Sequence, residues 1–415
     1  MIVCVLLPRF ELVVAAGGRR ELLGSPATLA PEAGREQLIG EVSPAAEAFG
    51  VRRGMRLGEA LARCTTLALV PPDPMGVADT WEAALVALEG IGAEVEPGRP
   101  GLACFDSRGL VRLHGSLDGV LRAAYAALRG EAPRGARRVI PTGRRGSAPS
   151  PIARLVPRLG AGPTRFLAVA AASRARARKP EAVRGPRELA GEPVELLALR
   201  EETAALPGPL ARLGILTLGD LAALPRDGLA DRFGRAGLLA HDLVSGRDGV
   251  LVPRRPGERL EESLELPESA SGQQLERGLG MLIDRLLARR DRRARTLRAV
   301  VLSARLVEGG TWRERVVFRE ALADPARMRL ALGGRLALLP APAEALRLEA
   351  DRFGPPHPES RALFEDGIAE RRERLREAVG QARAVAGPEA ALRVLPVDLE
   401  SRVPERRVVL APFEA

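Results

Sequence analysis

At 415 residues, the chain is too long for one ordinary core and suits two to four domains. A hydrophobic content of 46% with regular apolar periodicity excludes a disordered chain, and 63 Lys and Arg against 53 Asp and Glu give a net charge of +10. That balance points to a polyanionic partner, nucleic acid first; an arginine-rich genome bias would produce the same balance, since Lys179 is the only lysine. Cys4, Cys64 and Cys104 lie far apart, and His114, His241 and His357 are equally scattered. No zinc-ligand spacing, disulfide framework or cofactor motif emerges, and each cysteine is expected to be a small buried hydrophobe. No stretch approaches the ~20 uninterrupted apolar residues of a membrane span. The N-terminal apolar run is strand-sized and lacks a basic leader, so a soluble cytoplasmic protein is expected.

In chain order, residues 1–7 read as a buried strand ended by Pro8. Helices are predicted at 44–49, stopped by Gly50, and at 57–64, with a strand at 67–70. Helix resumes at 79–91, where Trp81, Leu85, Leu88 and Ile91 recur at spacings of three and four. Strands follow near 93–96 and 102–106, then a helix near 116–130. This order suggests an α+β domain, not a doubly wound one. Residues 132–151 are too rich in Pro, Gly, Arg and Ser for a regular element. A helix at 163–178 and a proline-bounded segment at 185–208 lead to a helical unit at 207–245. After the linker at 253–257 come a long basic helix (272–292), strands near 297–306 and 312–319, a helix at 324–334 and a strand at 344–350. An arginine- and glutamate-rich helix at about 366–385 follows Pro355-Pro356.

Two constellations carry chemistry. Between Leu206 and Leu221, a helix ends at Leu213-Gly214-Ile215 and a second starts near Thr217, with Gly219 and Asp220 in its first turn. This is a helix–hairpin–helix pattern, in which free amides at the second helix start can meet a phosphate; an ordinary αα-hairpin with a glycine turn is the plainer reading. Further on, Arg285, Arg289, Arg290, Arg292, Arg293, Arg295 and Arg298 crowd a helix end and the next strand. They could neutralise several phosphates, or simply form a solvated face, since Asp284 and Asp291 interleave.

The segment 95–110 (Val-Glu-Pro-Gly-Arg-Pro-Gly-Leu-Ala-Cys-Phe-Asp-Ser-Arg-Gly-Leu) resembles the palm strand-turn-strand of Y-family translesion DNA polymerases, Ser-Ile-Asp-Glu-Ala-Tyr-Leu-Asp. Residues 43–71 resemble the family's fingers, 162–180 its closing palm helix and 206–221 its thumb. The resemblance spans roughly 1–350 and implies a right-hand α+β architecture of palm, fingers, palm, helical thumb and little finger. Two-metal phosphoryl transfer needs carboxylates that hold two divalent ions about 4 Å apart. Matched residue by residue, the metal-binding acids of the family fall on Leu6, Pro8, Gly101 and Leu102, leaving only Asp106, whose expected role is structural. The Tyr and Arg that hold the incoming triphosphate fall on Pro44 and Glu47, and a phosphate-side lysine falls on Val169. The resemblance therefore implies a polymerase shape without polymerase chemistry.

The implied domains are palm-like (1–10 and 75–180), fingers-like (11–74), thumb (181–248), little finger (258–352) and a C-terminal partner-binding extension (353–415). Residues 400–407, Glu-Ser-Arg-Val-Pro-Glu-Arg-Arg, look like the C-terminal signature of the ImuB group. That similarity implies a non-catalytic adaptor of damage-induced mutagenesis that binds primer–template or damaged DNA. Its implied partners are an error-prone C-family polymerase, the sliding clamp and a RecA-like accessory protein. Two alternatives stay open: an active polymerase whose metal site uses Glu94, Glu96 or Asp106, and a basic repair factor with a helix–hairpin–helix. Clamp binding would use Leu363 and Phe364, within Ser360-Arg-Ala-Leu-Phe364, as an apolar plug. Replacing Leu363 and Phe364 by alanine is expected to abolish clamp pull-down; retained binding would refute the assignment.

Overall fold

The computed structural model describes the chain except for residues 20, 32–35, 131–154, 256–258, 271, 293–294, 308, 357–374, 376–377, 380–382, 384–386, 398–399 and 413–415. Residues 1–355 and 356–415 are two separate compact units.

The first unit opens with strand β1 (Ile2–Leu6), then α1 (Phe10–Ala16), α2 (Glu21–Gly24), β2 (Ala27–Leu29), α3 (Pro44–Ala48), α4 (Leu57–Arg63) and β3 (Ala68–Val70). Helix α3 starts where Ser43 accepts the Ala46 amide at 3.2 Å and Pro44 pre-sets the first turn. Helix α5 (Pro74–Glu89) begins five residues earlier than its apolar spacing suggests. Asp73 accepts the Gly76 amide at 2.8 Å and Pro74 occupies the first turn, a start signal in the cap and not in the periodicity. Strands β4 (Val95–Pro97) and β5 (Leu102–Asp106) precede α6 (Arg108–His114) and α7 (Leu117–Leu128). Helix α6 stands where the sequence reads as a turn: Asp106 accepts the Arg108 amide at 3.0 Å and redirects the chain into it. Strand β6 (Arg158–Gly162), helix α8 (Arg165–Arg174) and β7 (Glu181–Ala182) complete this part. Residues 132–151, read above as too broken for a regular element, lie outside the described residues.

The five strands order as β4-β5-β1-β6-β7, with β1 at the centre and antiparallel to both neighbours. Alternation along β1 sends Val3, Val5 and Leu7 to a large core with Phe10, Leu85, Leu88 and Phe105. Cys4 and Leu6 face the other way, onto α8. A Cβ on Gly160 in β6 would meet the α8 backbone at Ala168 and Ala172, so glycine is what lets the helix lie directly on the sheet.

Next come α9 (Pro207–Arg212), α10 (Leu218–Ala222) and α11 (Arg226–Val244), packed with short 3-10 turns from 186–203 around Leu197, Leu210, Leu221 and Leu243. A second lobe has β8 (Glu261–Ala270), α12 (Gln273–Ala288), β9 (Arg295–Leu306), β10 (Thr311–Leu322), α13 (Pro325–Leu336) and β11 (Ala343–Pro356). Its sheet orders as β10-β9-β11-β8, with α12 and α13 covering one face over Leu282, Ile283, Val300, Met328 and Leu346. The basic helix ends at Ala288, four residues before the expected 292, and a 3-10 turn (Arg290–Arg292) takes over. In the second compact unit, β12 (Leu392–Pro396) and β13 (Val408–Pro412) pair antiparallel. The helix expected at 366–385 lies largely outside the described residues.

Ion pairs join the lobe to α5. The Arg254 guanidinium reaches Glu82 at 2.6 and 3.0 Å and Glu89 at 2.6 and 3.0 Å, and its amide donates to Val95 O at 2.8 Å. The Glu89 and Glu82 bonds outweigh partial burial and raise the Arg254 pKa further. Asp79 on α5 takes Arg259 at 2.9 Å and Arg347 at 2.6 Å, while the Thr311 hydroxyl donates to Asp73 at 2.8 Å. Replacing Arg254 by methionine strands two carboxylates against each other. It is expected to speed backbone hydrogen exchange at 95–97 and 252–255 on the order of tenfold or more, since charge-assisted bonds contribute about 1.5–3 kcal/mol.

Candidate nucleic-acid interface and degenerate centre

Of the positions that the polymerase resemblance marks for metal and phosphate, Leu6, Leu102 and Val169 come together. Register pairs Leu6 with Leu102 and Cys4 with Cys104 across β1 and β5. Val169 lies on the face of α8 that covers them, and Leu6, Leu102 and Val169 are 8%, 7% and 3% exposed. The result is a layer of aliphatic side chains and thiols. Burial pushes the Cys4 thiol well up, away from the reactive thiolate. Such a donor set does not fit a pair of hard divalent cations, which take oxygen ligands.

Gly101 closes the layer. Its carbonyl accepts the Leu7 amide at 2.7 Å, and its φ of +86° is one that side-chain-bearing residues rarely adopt. An added Cβ would sit 2.7 Å from Phe10 Cβ and 2.9 Å from Leu7 O. No carboxylate can stand there without moving the strand.

Around this layer, carboxylates of the chain hold the groups that would welcome an anion. Glu41, buried between α1 and α3, accepts the Leu12 amide in the first turn of α1 at 3.1 Å. Burial raises its pKa, opposed by that bond. Glu47 is bound to Arg9 at 2.7 Å, and Arg9 sits at φ 51° with its Nε on Val42 O at 2.8 Å. Asp248, with a side chain only 2% exposed, accepts the Phe166 amide of α8 at 2.8 Å and Arg200 at 2.7 Å, and also pairs with Arg165. Arg165 binds Glu96 as well. A cavity of about 690 Å³ opens beside Leu102, Cys104 and Val169, lined also by Arg53, Arg99, Glu96, Arg165 and Arg200.

The acids considered for a displaced metal site are dispersed in role. Glu96 holds Arg165 and the Val252 amide, Asp106 holds Arg108 at 2.7 Å, and Glu94 is exposed. The Arg108 bonds outweigh slight burial and keep Asp106 below its ordinary value. Among the described residues, no three His, Cys, Asp or Glu side chains converge where a metal ion could sit. Asp248, Glu41 and Arg254 were not foreseen from the sequence. They stand far along the chain from what they hold, and no local pattern marks them.

The hairpin corrects one expectation. Gly214 does turn the chain at φ +78°, and Leu213 and Leu216 stand exposed. The amides at the start of α10 are not open, however. Asp220 accepts Thr217 N at 2.9 Å and Leu216 N at 3.3 Å, while Thr217 accepts Asp220 N at 3.0 Å in a reciprocal capping box. Leu218 N and Gly219 N each donate at 2.8 Å, to Glu192 O and Ala190 O, and Ile215 packs inward. The Thr217 bonds hold the Asp220 carboxyl below its usual range.

The arginine cluster is also partly engaged. Arg289 pairs with Glu262 and Asp291. Arg292 donates to Leu287 O and Arg295 O, and Arg295 lies 3.7 Å over the Phe353 ring. Arg298 donates to Arg319 O. Arg285 and Arg290 are exposed and take part in no ion pair among the described residues. Arg293, Leu363 and Phe364 lie outside the described residues.

Gly101→Ala is expected to destabilise the first unit by about 2–4 kcal/mol, through positive φ and the Cβ overlap together. Thermal unfolding checks this, and an unchanged midpoint would refute the tight approach.

Residues 7–173 match the model of the impB/mucB/samB family. No curated protein matches the chain. Among solved structures, DinB from Sulfolobus solfataricus aligns over 85% of this chain and 99% of its own, at a TM-score of 0.50 and 14% identity. An insertion ternary complex of Dbh DNA polymerase and a Y-family DNA polymerase chimera cover the same shares, at TM-scores of 0.49 and 0.48 and identities of 15% and 16%. With the mixed helix-and-strand order above, these findings make the chain a Y-family polymerase-like protein in its fold.

Proposed function

We propose that this protein is a non-catalytic member of the ImuB group. In this reading it binds primer–template or damaged DNA during damage-induced translesion synthesis and brings an error-prone C-family polymerase to the sliding clamp. The observation that carries the reading is the aliphatic layer of Leu6, Leu102 and Val169, bordered by a glycine with no room for a side chain. A polymerase fold whose metal positions are lined with hydrocarbon keeps a shape that can hold DNA and lacks ligands for the ions that drive phosphoryl transfer. Glu47, where the resemblance places a cation that holds the triphosphate, instead occupies Arg9. The matches to the impB/mucB/samB family and to DNA polymerase structures support the DNA-directed part. The C-terminal residues 400–407 support the adaptor part, with a RecA-like accessory protein as a further partner.

The test is primer extension on undamaged and abasic templates with magnesium or manganese, run beside DNA binding at two salt concentrations. Salt-sensitive binding without incorporation is expected. Metal-dependent incorporation that co-purifies with the chain would overturn the reading in favour of an active polymerase.

A further inference from the structure

Most of the arginines near the degenerate centre and on the second lobe hold carboxylates or carbonyls; a group at the β6–β7 edge of the five-stranded sheet does not. Arg122 on α7 and Arg176, Arg178 and Lys179 in the turn after α8 line one cavity of about 380 Å³. All four are exposed, and among the described residues none takes part in an ion pair. Arg174, at the end of the same helix, is by contrast bound to Glu181 and Glu192.

The turn that presents them is tight. Lys179 N donates to Arg176 O at 3.1 Å, and Arg178 between them has φ 62°. A non-glycine residue in that region carries a cost of order 1 kcal/mol or more, borne where surroundings or function hold it. The other such residue, Arg9, is held by Glu47 and Val42. Arg178 has no such partner among the described residues, so its side chain is free for a ligand.

Inside the cationic rim, the cavity has an apolar floor of Leu121 and Leu159 beside Tyr125, the only tyrosine of the chain. Its volume falls in the lower part of the range for small-ligand pockets, about 300–1,000 Å³. Leu121 and Leu159 belong to the core on the Val3–Val5 face of the sheet, opposite the layer that contains Leu6 and Leu102.

We propose that this cavity is a second nucleic-acid site, for single-stranded DNA, with one unstacked base against Tyr125 and the adjoining phosphates on Arg122, Arg178 and Lys179. Stacking on an aromatic ring inside a cationic rim is the physical signature of single-strand binding, and a duplex hides the base faces such a floor would take. The site rests on the nucleic-acid reading above but stands on residues that reading does not use.

The experiment is equilibrium binding of a labelled oligothymidylate and of a primer–template duplex to the full chain across a salt series. Wild type is compared with Arg122→Glu/Lys179→Glu, Tyr125→Leu and the lobe variant Arg285→Glu/Arg290→Glu. The double reversal is expected to weaken single-strand binding about tenfold or more and to lower the salt slope by about 1.4, two phosphate contacts at ~0.7 each. Tyr125→Leu, which keeps an aliphatic side chain against the core, should weaken it about fivefold or more with the slope unchanged. The milder Arg122→Gln/Lys179→Gln serves if the reversal impairs folding. Single-strand binding that ignores all these variants overturns the site, as does a wild type that does not bind the oligonucleotide. Tighter, rim-dependent binding of polyglutamate also overturns it, in favour of an acidic protein partner. Rim-dependent single-strand binding without duplex binding would instead leave the site standing and sink the primer–template reading.

Discussion

Strand β1 lies between β5 and β6, and at its end the Leu7 amide meets the Gly101 carbonyl so closely that no side chain fits between the strands and Phe10. From this approach follow the register that sets Leu6 against Leu102 and the seat of α8 over them. Strand alternation makes the consequence strict, because the same pairing that buries Val3, Val5 and Phe105 on one face must place Cys4, Leu6, Leu102 and Cys104 on the other. A face built this way is a packing surface. Ionised groups placed there would lose their hydration without gaining partners.

Arginine organises the rest. The chain is strongly basic, yet much of that charge is internal. Arg254 joins two glutamates of α5, Arg259 and Arg347 share Asp79, and Arg165 and Arg200 share Asp248. The planar guanidinium suits such bidentate and shared contacts, which a lysine would make less well. Net charge is therefore a poor map of where a polyanion would land. The cations without an ion pair among the described residues, at the β6–β7 edge and at Arg285 and Arg290 on the second lobe, are the better guide.

The hairpin at 213–219 shows how a local motif and its tertiary setting part company. Its turn has the glycine and positive φ that the pattern requires. Its amides nevertheless close on Asp220, Glu192 and Ala190, because a capping box and the turn at 190–192 reach them first. Contact with a phosphate backbone would then fall to side chains around the hairpin and not to its main chain.

By itself the sequence determined the α+β class and most of the helices and strands, because periodicity and residue identity are local properties; it also carries Leu6, Gly101 and Leu102 where the polymerase resemblance expects acids. Apolar spacing misses the start of α5 and the whole of α6, whose signals are single polar residues: Asp73, which accepts the Gly76 amide, and Asp106, which accepts the Arg108 amide. Only the tertiary structure decided that Leu6, Leu102 and Val169 form one apolar layer and that Glu41 and Asp248 hold the starts of α1 and α8. It alone decided which arginines remain unpaired. Many of those contacts join residues far apart in the chain, 29 positions for Glu41 and Leu12 and 82 for Asp248 and Phe166, and chain-distant carboxylates leave no mark in the segments they complete.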